Sequence, residues 1–173
     1  MLTVTTQVEV RLAQPHDISA ISKLVMDHAR RGDVLPRSLQ SIRETIDDWV
    51  VVTVDDKVVA CGSLLMYGPG LAEVRSLAVA DAYKGQGHGQ TVVRTLIQMG
   101  RARHLHTLFA LTRAVRFFEG LGFTVTTKAQ FPEKVWRDCT QCPIMDNCDE
   151  TAVVLPLTEP PTPLTILPSL PGE

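Results

Sequence analysis

A chain of 173 residues, 45% hydrophobic and 21% charged, is long and apolar enough for one folded domain with a sizeable core. Its net charge of −2 excludes the basic excess that nucleic-acid or anionic-membrane binding requires. No apolar run approaches the roughly 20 residues that span a bilayer, and the opening Met1-Leu2-Thr3-Val4-Thr5-Thr6 lacks the pattern of a secretion signal, so a cytoplasmic protein is expected.

Val8 to Ala13 alternates Val, Val and Leu with Glu, Arg and Ala, the period of two that predicts a strand. Pro15-His16-Asp17 opens a helix with Asp17 as its N-cap. Ile18, Ile21, Leu24, Val25 and Ala29 form its apolar face, and Gly32 ends it. Past a loop from Gly32 to Arg37, Ser38 caps a second helix in which Ile42, Ile46 and Trp49 recur at helical spacing. Val50 to Val54 and Val58 to Met66 read as strands joined by the turn Asp55-Asp56-Lys57. After a second turn, Tyr67-Gly68-Pro69-Gly70, Leu71 to Val79 is a third strand in antiparallel succession. Beyond Lys84 to Gly89, the positions Val92, Val93, Leu96, Ile97 and Met99 mark a helix running to about Ala102. Thr107 to Leu111 is a strand, and Val115 to Leu121 a short helix stopped by Gly122. Phe123 to Thr126 and Thr151 to Leu155 are the last strands.

The order β-α-α-β-β-β-α-β-α-β-β predicts an α/β fold with one mixed, mostly antiparallel central sheet flanked by helices. Residues 1–155 form a single domain. Residues 156–173 hold six prolines in eighteen residues, too many for a regular element, and are expected to be a C-terminal tail.

Lys84-Gly85-Gln86-Gly87-His88-Gly89 carries the chemistry. A strand, a glycine-rich turn and a helix make an anion site because glycines let backbone N–H groups converge and the helix N-terminus adds partial positive charge. The loop lacks the Gly-Lys-Ser/Thr ending of a nucleotide P-loop. It also follows three antiparallel strands, whereas a dinucleotide fold places its loop after the first strand of a parallel unit.

The segment resembles the pyrophosphate motif Gln/Arg-x-x-Gly-x-Gly/Ala of the GNAT N-acetyltransferase superfamily, with Lys84 as a basic departure. Ser76-Leu77-Ala78-Val79 looks like that family's pantetheine-pairing strand, and Phe117-Phe118-Glu119-Gly120-Leu121-Gly122-Phe123 like its later Phe-Tyr-x-x-x-Gly-Phe element. The resemblance covers residues 8–155 and implies the GNAT fold and acetyl-CoA as co-substrate. It implies cofactor contacts at Leu77, Ala78, Val79, Lys84, Gly85, Gln86, Gly87, His88, Gly89, Gln90 and Phe117. Glu73 to Val79, Leu111-Thr112-Arg113 and Phe131 to Trp136 further resemble the acetyltransferase domain of bacterial N-acetylglutamate synthases, in their short, stand-alone form. That likeness implies direct acetyl transfer to the α-amine of L-glutamate in arginine synthesis.

Transfer to an amine needs a base, a polarised carbonyl and a proton for the leaving thiolate. Glu73 stands where related histone acetyltransferases carry their catalytic glutamate, and the backbone N–H near Leu77 is the expected carbonyl polariser. Many relatives place a tyrosine at Phe118, which here has no proton to give; Tyr67 and Tyr83 lack the motif's spacing. A dicarboxylate acceptor calls for fixed cations. The candidates are Arg37 in the helix–helix loop, Arg75 on the strand face shared with Glu73 and Leu77 by the period of two, Arg113, and Lys134 before the last strand. Arg113 corresponds to an arginine that binds substrate carboxylate in the glutamate enzymes.

Cys139-Thr140-Gln141-Cys142 with Cys148 has metal-like spacing but no nearby histidine as fourth ligand, so free thiols are expected there and at Cys61, and no metal. His88 is expected to point to solvent or phosphate. His104 and His106 end a helix whose dipole they complement. Two other readings remain open: a GNAT enzyme for another amino acid or small amine, and a non-catalytic acyl-CoA sensor. A homodimer is an expectation by analogy with the fold.

Overall fold

Apolar runs, nearly continuous in the central strands, build one sheet, and two amphipathic helices close its faces. The computed structural model describes residues 4–131 and 149–157. The elements are β1 (Val8–Leu12), α1 (Ile18–Arg30), α2 (Leu39–Glu44), β2 (Trp49–Val54), β3 (Lys57–Met66), β4 (Leu71–Val79), α3 (His88–Ala102), β5 (Thr107–Thr112), α4 (Val115–Glu119), β6 (Thr124–Thr126) and β7 (Thr151–Pro156). The strand order is β1-β2-β3-β4-β5-β7-β6. Every neighbouring pair is antiparallel except β4 with β5, which run parallel because α3 supplies the crossover between them. The mixed, mostly antiparallel sheet expected from the sequence is the one observed.

The β2–β3 hairpin turns on Asp55 (φ 49°) and Asp56 (φ 65°), both left-handed as its tight turn demands, and aspartate tolerates that region. Helix α3 buries Val92, Val93, Leu96 and Ile97 against Val50, Val52, Leu64 and Val74 on one face of the sheet. On the other face, α1 buries Ile21, Leu24 and Val25 against Trp49, Val51, Cys61 and Ala78. Tyr67, Phe109, Phe131 and Ala152 form a third cluster. Phe109 lies between Leu108 and Ala110 of the α3-side core, so this cluster belongs to the α1 side. No helix among the described residues is long and apolar enough to cross a membrane.

Two local expectations are corrected. Trp49 opens β2 and is not part of the second helix, because Thr45 (φ −115°) has already left helical geometry; the indole Nε1 donates back to Thr45 Oγ1 at 3.0 Å. Asp17 ends a 3-10 turn, and its carboxylate turns backward to Gln14 N (2.8 Å) and to Arg11 Nη1 and Nη2 (2.6 and 3.0 Å), so it does not cap α1. Burial pushes its carboxyl up, but the hydrogen bonds from Arg11 and Gln14 outweigh this and hold it below the usual range.

The β3–β4 ladder carries the feature that shapes the site. Its register runs Ser63↔Arg75 and then Cys61↔Ala78, so Ser76 and Leu77 together oppose Gly62. This is a β-bulge, with Ser76 at φ 55°. It reverses the inside–outside phase of β4. Ala72 and Val74 pack on the α3 side before it, and Leu77 and Val79 pack on that same side after it.

Candidate active site

The parallel β4–β5 pairing lasts from Leu71↔Thr107 to Glu73↔Phe109, while β4 continues to Val79 and β5 to Thr112. Past Glu73 the strands separate, and their facing edges hold backbone groups with no ladder partner across the gap. The gap can take an extended ligand whose amides complete the ladder. Buried His28 closes its end, with Nε2 2.9 Å from Val79 O and Nδ1 3.4 Å from Asp33 Oδ2.

Beyond Val79 the chain makes the glycine turn. Gly85 (φ 76°) and Gly87 (φ 83°) are left-handed, and α3 begins at His88. The first helical bond is Thr91 N to Gly87 O at 3.1 Å, so the N–H groups of His88, Gly89 and Gln90 have no intrahelical acceptor. A side-chain carbon at Gly85 would meet nothing within 4 Å, and one at Gly87 only Gln90 Oε1 at 3.7 Å. The first turn carries no acidic residue. An open cradle of unpartnered donors at a helix N-terminus fits a diphosphate.

Lys84 Nζ lies 2.9 Å from Asp81 Oδ1, and Arg31 Nη1 lies 2.8 Å from Asp81 Oδ2. Arg31 Nε also lies 3.5 Å from Asp33 Oδ2, so two cations and two carboxylates stand together beside the cradle; Lys84 first, then Arg31, holds the Asp81 carboxyl below its usual range. Gln86 and Gln90 are exposed, and Phe117 packs beside Gly89, 3.6 Å from where a Cβ would stand. His88 corrects the expectation of an outward ring. It is only 8% exposed and tilts against Tyr83 with centroids 6.2 Å apart, so the outward-facing part of the residue is its backbone N–H.

Glu73 is 3% exposed and accepts a hydrogen bond from Tyr67 Oη at 3.2 Å. Arg75 follows on the same, α1-side face. Leu77 does not share that face, because the bulge intervenes: Leu77 packs in the α3-side core, and its neighbour Ala78 packs under α1. Arg37, in the α1–α2 connection, reaches the bulge with Nε 3.4 Å from Ser76 Oγ. Arg75, Arg37 and Glu73 are thus gathered on one side of the gap. Arg113 stands just past β5 and donates from Nε to Asp149 Oδ1 (2.7 Å) and from Nη1 to Gly32 O (3.0 Å), tying the end of α1 to the segment before β7. Lys134 and the cysteines 139, 142 and 148 lie outside the described residues.

Phe118 is buried edge-on between Phe117 and Phe123. Tyr67 is a side chain beside Glu73 that motif spacing overlooked. Pairing across the β3–β4 turn (Leu65↔Glu73, Met66↔Ala72) was the signal that could have found it, since it places Tyr67 diagonal to Glu73 on one face. Cys61 is fully buried, and burial pushes its thiol up to about 12. Among the described residues, no group of three or more His, Cys, Asp or Glu side chains could hold a metal ion.

The acetyltransferase (GNAT) family model matches residues 20–123. An uncharacterised N-acetyltransferase of Chlorobaculum tepidum is 37% identical over 145 residues, 84% of this chain and 94% of the relative. The amino-acid acetyltransferase of Mycobacterium tuberculosis is 36% identical over 118 residues, 66% of this chain and 67% of the relative. The fold is that of N-acetylglutamate synthase from Neisseria gonorrhoeae, solved with coenzyme A and N-acetyl-glutamate. There the TM-score is 0.77 at 22% identity, covering 88% of this chain and 36% of that longer one.

Proposed function

Because the chain belongs to the acetyltransferase (GNAT) family and uses acetyl-CoA, we propose that it acetylates the α-amine of L-glutamate, a reaction of arginine synthesis carried out in the cytoplasm. The observation that carries the reading is the cluster of arginines on the acceptor side. Arg75 shares the face of Glu73 and Arg37 reaches the adjacent bulge, while Arg113 stands just past β5 with bonds to Asp149 and Gly32. A dicarboxylate acceptor has two anionic groups for such cations to hold, and a polyamine would be repelled. The amino-acid acetyltransferase name of a 36%-identical relative supports it.

Bound acetyl-CoA supplies the acetyl thioester. In this reading the N–H groups of Gly85 to Gln90, with Lys84, hold its diphosphate. Phe117 packs beside the arm, and the backbone of Leu77, Ala78 and Val79 pairs with it. Leu77 N–H faces the acetyl oxygen and polarises the carbonyl. Glu73 takes the proton of the attacking amine, directly or through water, while Tyr67 fixes the carboxylate's orientation. The new N–C bond forms as the C–S bond breaks. Phe118 has no proton for the departing thiolate, so water protonates it or it leaves as thiolate. Arg113 binds the acceptor by exchanging Asp149 for a substrate carboxylate; Lys134, outside the described residues, is a further candidate cation from the sequence.

A thiol-release assay with acetyl-CoA against the common amino acids tests this. L-glutamate should give the highest kcat/KM, and Arg113→Ala should raise its KM about tenfold or more, the loss of one charged contact of roughly 1.4 kcal/mol. The KM of acetyl-CoA should not change. Faster release with another amine would overturn glutamate as acceptor. Acetyl-CoA binding with no release from any amino acid would make the chain a sensor.

A further inference from the structure

Among the described residues, the sheet ends in two unlike edges. Strand β6 is three residues long, short enough to be a poor template for pairing. Strand β1 has five residues, no proline and an unbroken register with β2 from Val8↔Val54 to Leu12↔Val50. Backbone bonds at either end of that ladder, Asp55 N to Gln7 O (2.8 Å) and Ala13 N to Trp49 O (2.9 Å), set its phase. Odd-numbered residues of β1 turn their N–H and C=O toward β2, so Val8, Val10 and Leu12 turn theirs off the edge. The same three side chains are exposed, at 56%, 40% and 54%. They occupy one face of the strand, with Glu9 and Arg11 on the other.

We propose that β1 pairs antiparallel with β1 of a second copy of this chain, centred on Val10, joining the two sheets into one. Outward-directed backbone groups must meet outward-directed groups, so even-numbered residues face even-numbered residues. Within that parity, centring on Glu9 sets two glutamates opposite each other, and centring on Arg11 sets two arginines opposite each other. Either arrangement is penalised. Centring on Val10 sets Glu9 opposite Arg11 of the second copy, twice, and Val8 opposite Leu12, twice. The run Val-Glu-Val-Arg-Leu is therefore complementary to itself about a two-fold axis, as an isologous interface requires.

Arg11 is already oriented by its paired bonds to Asp17 (2.6 and 3.0 Å), and its Nη1 also donates to Leu12 O at 3.1 Å, a carbonyl the new ladder would share. The six aliphatic side chains of the two strands become one continuous apolar stripe. Strands β2 and β3 separate β1 from β4, so the pairing leaves the β4–β5 gap open.

Light scattering coupled to size exclusion, run on the full chain, tests the proposal. At about 100 μM, where a concentration-dependent dimer is favoured, the chain should run at twice its 19.0 kDa mass. Val10→Lys places two ammonium groups across the axis and Val10→Glu two carboxylates. Each variant should run at the single-chain mass with unchanged kcat and with the melting curve of the wild-type chain diluted to its single-chain form. An equimolar mixture of the two should regain the double mass. A wild-type chain at single mass, a Val10→Lys variant that stays at double mass, or a mixture that fails to associate would each overturn it. None of these readouts depends on which amine is acetylated.

Discussion

Replacing Gly87 by alanine separates the backbone demand of the phosphate cradle from its steric demand. Gly87 sits at φ 83°, ψ 7°, just before the first residue of α3, and an added Cβ would approach nothing nearer than Gln90 Oε1 at 3.7 Å. Crowding therefore contributes nothing, and the whole cost is that of holding an L-residue in the left-handed region, roughly 1–2 kcal/mol. The variant can meet this cost in two ways. If it keeps the native backbone, global stability falls by that amount and Tm by about 2–4 °C per kcal/mol. If the turn relaxes, the N–H groups of His88 and Gly89 swing away and the acetyl-CoA KM rises, by about 5–30-fold for the same free energy. Gly89→Ala is the control. Gly89 lies inside the helix, its Cβ would meet Val79 and Phe117 at the ordinary distances of 3.5 and 3.6 Å, and alanine is the better helix former by about 1 kcal/mol. Its Tm should not fall. Thermal melts and acetyl-CoA saturation curves on both variants decide the matter. Wild-type Tm together with wild-type KM in Gly87→Ala would refute the reasoning, as would an equal loss of stability in Gly89→Ala.

Tyr67→Phe deletes the donor to the buried Glu73 carboxylate and should cost about 1.5–3 kcal/mol in denaturant unfolding. In steady-state kinetics kcat should fall with the acetyl-CoA KM unmoved; an unchanged kcat would remove Tyr67 from the site. At Gly62 the added methyl of an alanine would stand 2.7 Å from Val92 Cγ1, so Gly62→Ala should lose about 1–3 kcal/mol. A second change, Val92→Ala, should return part of that loss, and strict additivity of the two would argue against the clash. The hydrogen bond from Arg113 holds the Asp149 carboxyl below its usual range, outweighing a small effect of burial. A depressed folded pKa means that the pair's contribution is complete above the ordinary carboxylate range and is lost as pH falls through the lowered midpoint. NMR titration of Asp149 should show that low midpoint, and Arg113→Ala should raise it; no movement would dissolve the pair. Cys61 should resist thiolate-selective alkylation at about pH 8 until the chain unfolds, as read by peptide mass spectrometry.

Elements whose cause is local were legible in the chain itself. The β2–β3 hairpin follows from two nearly continuous apolar runs around two aspartates, and α3 from a clean apolar stripe bounded by glycine. The glycine turn before α3 was legible for the same reason, since its glycines act on their own backbone. Features caused by a partner across the fold were not. Nothing in Arg75-Ser76-Leu77 marks a bulge, which shows only in the register with the neighbouring strand, where Ser76 and Leu77 together oppose Gly62. Simple alternation therefore placed Leu77 on the wrong face. Trp49 continues a helical spacing by coincidence, and its burial in the sheet core overrode that local preference. The Tyr67–Glu73 bond is a cross-hairpin contact, invisible to motifs that run along the chain. Arg113 was marked as a cation, but its anchors at Gly32 and Asp149 come from positions far away in sequence.

The bulge at Ser76 gives β4 two reading frames. Residues up to Arg75 are in one frame and those from Leu77 onward in the other, with Ser76 as the spacer. Swapping one side chain for another within Leu71 to Arg75 edits one frame and leaves the other intact. Removing or adding a single residue between Val74 and Leu77 shifts the frame instead, exchanging the surroundings of Leu77, Ala78 and Val79 at one stroke. Libraries that diversify Leu71 to Arg75 while keeping its length would thus vary both faces there and leave the placement of Leu77, Ala78 and Val79 unchanged. Length variants of the same stretch should disturb the packing on both sides of the sheet together.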